Sequence, residues 1–365
     1  HPLDVGRVTG SSPVSRTIMI TLGIETSCDE TALCLLETKD RQYRILGNIV
    51  HSQIELHKEF GGVFPMLAKR EHIKNLPVLY ERIFKESGVS ESMVDRIAVT
   101  QGPGLEPALW TGILFAQELG KRLNVPVIPM NHMEGHIVAS LLSQSESHKE
   151  FQSLKELKLP ALAVLISGGH TEIVKINRLG SYEILGSTVD DAVGEAFDKV
   201  ARMLNLAYPG GPKISKLAEE ARSKDILNKI KLPRPMIHSK NLNFSFSGLK
   251  TAVLYTLREI GTPTHEQVMD IAREFEDAVT EVLISKTEQA LGDHEAQTLI
   301  IGGGVIANIH VRAAFESLSA KHSIPLYLPA TGLSGDNALM IALCGSFAAK
   351  KPSSEGFRAI GNLSL

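Results

Sequence analysis

One short pattern occurs once in each half of the chain and constrains the fold more than any other feature. Ile18-Met-Ile-Thr-Leu-Gly23 is an apolar run of strand length; a polar turn, Glu25-Thr-Ser-Cys-Asp-Glu30, follows it, and Thr31-Ala-Leu-Cys-Leu-Leu36 resumes the apolar run. The same succession returns where Ala161-Leu-Ala-Val-Leu-Ile166 leads through Ser167-Gly-Gly-His-Thr171 into Glu172-Ile-Val-Lys-Ile176. Apolar runs of this length, bounded by turn residues, predict strands. In the first half, helical periodicity over 65–87 precedes a strand over 97–101, a break at Gly102-Pro-Gly-Leu105, a helix through Arg122, a strand over 126–130 and another helix. In the second half a helical region from Asp190 to Leu204 precedes a Pro-Gly-rich turn over 208–212 and two helical stretches over 248–292. The strand Thr298–Ile301, the glycine run Gly302–Gly304, a helix, a strand over 324–328 and a last helix over 337–350 complete it. Strands alternating with helices predict an α/β protein with largely parallel pairing.

A chain of 365 residues is long for one core and comfortable for two lobes. The polar stretch 143–158 reads as the hinge between them. Residues 1–18 begin with His1 and carry Gly, Ser, Pro and Arg without apolar periodicity, so they read as a disordered or upstream leader ahead of Met19, not as a signal peptide. No apolar stretch approaches membrane-spanning length, and three cysteines (Cys28, Cys34, Cys344) are too few for a disulfide framework, which predicts a soluble cytoplasmic protein. Cys28 reads as a small packed turn residue. The net charge of −3 excludes indiscriminate coating of nucleic acid. An RNA partner would be met regionally, at Lys69-Arg-Glu-His-Ile-Lys74 or among Lys229, Lys231, Arg234 and Lys240, runs that serve equally as solvated faces.

Asn131-His-Met-Glu-Gly-His136 places His132 and His136 four apart, stacked on one helical face at metal-ligand spacing. Glu134 does not occupy the place of the base in His-Glu-x-x-His peptidases. The best third ligand is Asp336, at the start of the final helix; two imidazoles and a carboxylate with open positions suit Fe(II) or zinc. Four glycine turns could aim backbone amides at an anion: 102–104, 167–169, 208–211 and 302–304. Gly302-x-Gly304-x-x-Ala307 lacks the acidic residue a dinucleotide fingerprint needs about twenty positions on, Gly120-Lys-Arg122 lacks the rest of a phosphate-binding loop, and no Gly-x-Ser-x-Gly elbow exists. Asp191, Glu195 and Asp198 would share one helical face, able to accept from ribose or amine groups or simply to meet water.

Together these residues resemble the bacterial tRNA N6-adenosine threonylcarbamoyltransferases, the TsaD family. The resemblance rests on 23–31, Gly102-Pro-Gly-Leu105, His132 with His136, Ser167-Gly-Gly-His-Thr171, Gly194-Glu-Ala-Phe-Asp-Lys199, Tyr208-Pro-Gly-Gly-Pro212, Phe244-Ser-Phe-Ser-Gly-Leu-Lys-Thr251, 302–308 and Asp336-Asn337, and runs from Ile20 to about Lys350. It implies the two-lobed actin-like, sugar-kinase and Hsp70 (ASKHA) fold, with duplicated ribonuclease-H-like domains around a cleft. The lobes would be 19–145, joined by 337–365, and 146–336.

The resemblance further implies transfer of threonylcarbamoyl from threonylcarbamoyl-AMP to the N6 amine of the adenosine 3′ of the anticodon in tRNA, with release of AMP. It implies one divalent ion, Fe(2+) before Zn(2+), on His132, His136 and Asp336. The adenylate would lie against Leu165, Ile166, Ser167, Gly168, Gly169, Asp198, Gly211 and Asn308, with Asp29 and Glu30 as catalytic groups near the reacting centre. Implied partners are tRNA, a paralogous non-catalytic (TsaB-like) subunit and a small (TsaE-like) ATPase, with no membrane. The chain departs from the family pattern at Met66, Asn243, Glu106-Pro107 and Ser334-Gly335, and Leu165 stands where archaeal relatives place a metal-site tyrosine. The alternatives are a metal-dependent peptidase and a kinase or nucleotide-binding scaffold of the same fold.

Overall fold

Met19–Glu25 (β1) and Glu30–Lys39 (β2) are apolar runs with almost every residue buried. Only Thr26–Asp29 join them, too short for a crossover, so they pair antiparallel from Met19↔Thr38 to Glu25↔Ala32. Gln42–Ser52 (β3) turns back on β2, again antiparallel, after Asp40 takes a left-handed φ of 50°. The computed structural model describes residues 18–40, 42–143, 150–226, 229–330, 332–348 and 356–365; the leader before Ile18 and residues 144–149 of the expected hinge lie outside them.

A one-turn helix, Ile54–His57 (α1), leads to Pro65–Ser87 (α2), which starts on a proline and ends at Gly88 with φ 69°. Arg96–Gly102 (β4) then pairs parallel with β1. Glu106–Leu123 (α3) returns the chain to Val127–Asn131 (β5), parallel to β4, and His132–Ser140 (α4) follows directly. Gln152–Ser153 (β6) pairs with β3, so this part of the expected hinge is a sheet edge. The sheet order is β5-β4-β1-β2-β3-β6.

The second sheet repeats the plan. Ala161–Ile166 (β7), Thr171–Arg178 (β8) and Ser181–Ser187 (β9) form an antiparallel meander, turned at Gly180 with φ 81°. Val193–Met203 (α5), Gly210–Ser223 (α6), Ser247–Ile260 (α7) and His265–His294 (α8) follow, the last opened by a capping box between Thr264 and Gln267. Thr298–Gly302 (β10), Ile309–His322 (α9) and Leu326–Tyr327 (β11) extend the sheet in parallel, in the order β11-β10-β7-β8-β9. Largely parallel pairing is thereby corrected: hairpin-length connections make each meander antiparallel, and only strands reached through helices run parallel.

Ala338–Phe347 (α10) is apolar on every side because it is buried on every side, against β1, β2, β4 and α4 of the first sheet. Two glycines let it approach at backbone distance. A Cβ on Gly23 would sit 2.4 Å from the Ala338 carbonyl oxygen, and one on Gly345 would sit 2.3 Å from the Ala98 Cβ. Helix α4 is the seam of the molecule. Val138, Ala139 and Leu142 pack with α10, while Met133, Ile137 and Leu141 pack with β7 and Ile300 of the second sheet. Segment 356–365 runs along the first sheet, with Ile360 N donating to Gln101 O and Asn131 Nδ2 donating to Ser364 O. Among the described residues no helix is long and apolar enough to cross a membrane.

Candidate metal centre and adjoining cavity

Helix α4 starts at His132 because Asn131 caps it, its Oδ1 accepting from Met133 N and Glu134 N. Spacing then stacks the two imidazoles, with ring centroids 4.8 Å apart and edge to face. Asn337 caps α10 in the same way through Met340 N, which sets Asp336 just ahead of that helix. The outcome is a junction of two helix starts. His132 Nε2 and His136 Nε2 each lie 3.3 Å from Asp336 Oδ1, and one ligand atom from each of the three residues falls within 4.8 Å of the others.

This donor set fits a divalent ion. His136 Nε2 is buried without a hydrogen-bond partner, because its approach to Asp336 lacks bonding geometry, and a nitrogen lone pair left so costs free energy unless an ion takes it. His132 turns its other nitrogen to a buried carboxylate, Glu25 Oε2 at 2.9 Å, the arrangement that orients metal-ligating imidazoles. Glu25 is itself fixed, with Oε1 accepting from Ser27 N at 2.5 Å and Oε2 from Thr100 Oγ1 at 2.7 Å.

Burial alone would lower the His132 pKa, but the Asp336 and Glu25 carboxylates outweigh it and raise it well above the usual histidine range. Burial would raise Asp336, and the two imidazoles outweigh that and lower it. The sign for metal binding follows. An ion must displace the proton from His132, so affinity for Zn(2+) should rise by about tenfold per pH unit while that proton is bound. Calorimetric titration across a pH series checks this; a pH-independent affinity would show that His132 is not a ligand.

Beside the triad, the turn between β1 and β2 carries Cys28, Asp29 and Glu30. Asp29 is buried and its Oδ2 has no partner. Burial, with Asp336 and Asp29 adding, pushes Glu30 up to about 9. Burial and the same acids raise the Cys28 thiol, which disfavours the thiolate. Glu134 faces elsewhere, accepting from Tyr182 OH at 2.9 Å, and cannot serve as a peptidase base.

A cavity of about 620 Å³ is walled by the second lobe. Three of the four glycine turns converge on it: Gly168, Gly211 and Gly304 all line it, with Gly211 in the first turn of α6, so the positive end of that helix faces inward. Gly168, Gly169 and Gly304 have open space where a side chain would stand. The turn at 102–104 is not an anion site. Gly104 N donates to Gly361 O and Leu105 N to Ser27 O, and Gly102 is pressed against Ile360, so those glycines serve packing.

Other expected residues divide similarly. Asp198 lines the cavity, with Oδ1 accepting from Gly210 N at 2.7 Å, and burial raises its pKa. Asn308 lines it too, but its amide donates to Glu276 Oε1 and its oxygen caps α9 at Val311 N, so it frames the wall. Leu165 and Ile166 are wholly buried strand residues, and Ser167 Oγ accepts from His170 N within its own turn. The shared acidic face fails: Asp191 precedes α5 and is held by Lys199 and Lys250, and Glu195 pairs with Lys199. Arg222 and Glu276, which lie in no motif quoted above, also wall the cavity, as does Phe197, with Arg222 Nη1 2.6 Å from Glu276 Oε2. Arg222 and Glu276 sit inside long helices without turn or spacing signals; Phe197 stands one residue before Asp198.

Two sheets of one plan, joined through α4, define a protein of the actin-like ASKHA class. Solved structures share that fold: HypF in its phosphate- and nucleotide-bound form matches 93% of this chain and 48% of its own, with TM-score 0.56 and 14% identity, and HypF of T. kodakarensis matches 90% and 47%, with TM-score 0.55 and 14% identity. The chain belongs to the family of tRNA N6-adenosine threonylcarbamoyltransferases, a family of acyltransferases, whose model (TsaD) matches residues 44–343. The relative of that name from Thermosipho africanus (strain TCF52B) is 44% identical over 349 residues, 95% of this chain and all of its own. That of Herminiimonas arsenicoxydans is 45% identical over 329 residues, 90% and 91% of the two chains.

Proposed function

We infer that the chain forms N6-threonylcarbamoyladenosine in tRNA. Threonylcarbamoyl-AMP is the donor, and the adenosine beside the anticodon is the acceptor. The observation that carries this reading is the His132, His136, Asp336 triad in a chain of this family whose second lobe also holds a glycine-lined cavity.

The adenylate would lie in the cavity, its phosphate against the open backbone at Gly168 and Gly304 and its ribose within reach of Asp198. The triad would hold the ion, Fe(2+) first and Zn(2+) second, which supplies Lewis-acid polarisation of the acyl carbonyl when bound. An exocyclic adenine amine is a poor nucleophile, so placement contributes most of the rate. The new N–C bond forms as the C–O bond to AMP breaks, and the amine gives up one proton. Asp29, a buried carboxyl with a free oxygen, is the acceptor for that proton, and Glu30 stands beside it. tRNA, the TsaB-like paralogue and the TsaE-like ATPase are the partners this reading requires, and the cytoplasm is its compartment.

Mass spectrometry of tRNA nucleosides, after adding this chain to an extract depleted of the activity, tests the reading. Restored threonylcarbamoyladenosine is expected. Its absence, with casein hydrolysis or small-molecule phosphorylation in its place, would overturn the assignment.

A further inference from the structure

Between the Cys28–Glu30 turn and the start of α2 lie two imidazoles and an amide that the chemistry above leaves unused. His57, Gln53 and His72 are buried to within 1% of full burial. Their hydrogen bonds run in one direction. Phe64 N donates to His57 Nδ1 at 3.3 Å, which leaves His57 Nε2 to donate to Gln53 Oε1 at 3.3 Å. Gln53 Nε2 donates to His72 Nδ1 at 3.3 Å, and His72 Nε2 donates to Cys28 O at 3.0 Å. Both ends of this chain are backbone groups that cannot change role, an N–H at Phe64 and a carbonyl at Cys28. The amide orientation and both tautomers are therefore fixed, and both rings are neutral.

The chain ends on the turn twice, since Gln53 N also donates to Asp29 O at 2.9 Å. Thr31 Oγ1, at 2.8 Å from His72 Nδ1, ties the same ring to the first residues of β2. Asp29 Oδ2 has no hydrogen-bond partner, and the backbone on either side of the residue is held through the Cys28 and Asp29 carbonyls. Burial lowers the pKa of both rings, against the opposing pull of Glu25 and Asp29 on His72 and of Asp29 on His57.

We propose that His72 is a positioning residue: held in one tautomer by Gln53 and His57, it fixes the Cys28 carbonyl and thereby sets where the Asp29 carboxyl stands in the cleft. The proposal rests on the role given to Asp29 above. It also removes His72 from the basic run 69–74, because the ring faces the core and not RNA.

The test compares His72→Leu with His72→Gln, whose amide keeps a donor near the ring Nε2, in the reconstituted modification assay. His72→Leu should lower kcat by about 100-fold, the scale of a misplaced group, with the donor KM and metal stoichiometry changed by less than about threefold. His72→Gln should recover about tenfold of that loss. In an Asp29→Asn background, itself slow, His72→Leu should cost almost nothing further, because its effect is transmitted through Asp29. Additive losses, or a folded, metal-loaded His72→Leu with unchanged kcat, overturn the proposal. Should His72→Leu not fold, His57→Leu, two bonds further along, is expected to lose about tenfold, and an unchanged kcat there overturns it. A fully active Asp29→Asn instead removes the role of Asp29 itself, which separates that failure from failure of the positioning chain.

Discussion

Asp336→Asn is expected to abolish tRNA modification, by at least about 10³-fold, and to reduce bound metal from one ion per chain to nearly none, while the protein stays folded. Asp336 Oδ1 is the one carboxylate oxygen that both imidazoles face, so the side chain supplies the charge that offsets the ion. An amide keeps the shape and loses that charge, leaving two neutral imidazoles that hold a divalent ion weakly. The fold should survive because Asn337, not Asp336, caps α10. His132→Ala and His136→Ala should behave alike. Elemental analysis alongside nucleoside mass spectrometry checks the pair of readouts, and retained activity in all three variants would refute the metal role.

Gly23→Ala is expected to damage the fold and the triad together. The new methyl would stand 2.4 Å from the Ala338 carbonyl oxygen and 2.8 Å from the Ala342 Cβ, backbone and a rigid methyl that cannot swing aside. Helix α10 must move off β1, and overpacking of this kind costs about 1–3 kcal/mol, occasionally more. Asp336 rides directly ahead of α10 whereas His132 and His136 ride on α4, so the shift also spreads the triad. Thermal unfolding should show lower stability, and Zn(2+) titration weaker binding, in the same variant. Lowered stability with unaltered affinity would show that α10 does not set the position of Asp336.

The stacking of His132 and His136 was legible because i, i+4 spacing is a local property, and the approach of Asp336 to them because it sits in a polar turn before an apolar helix. The duplicated β1-turn-β2 and β7-turn-β8 units were equally plain. Hidden from the sequence were β3 and β9, whose apolar patterns are interrupted by Arg44 and Gly47 and by Glu183 and Gly186. Helix α6 was hidden as well, because it opens on Gly210-Gly-Pro212, which reads as a turn until Asp198 takes the Gly210 amide. Composition could not tell a glycine that opens a cavity from one that admits a neighbouring backbone: Gly168 faces space and Gly104 faces Ser27. Long-range pairing likewise hid the roles of Glu25, Gln53 and His72, which become neighbours only when the first sheet closes.

The lobes are fastened unequally. At α4 they share a buried apolar seam, whereas elsewhere the exposed Arg202 of α5 merely hydrogen-bonds the Gly61 carbonyl, a link worth on the order of 1 kcal/mol. Thermal opening should release the weak fastening first and swing about the strong one. A cation seated on α4 would then rest near the fulcrum, nearly still, while the walls around the Gly61–Arg202 link travel the furthest.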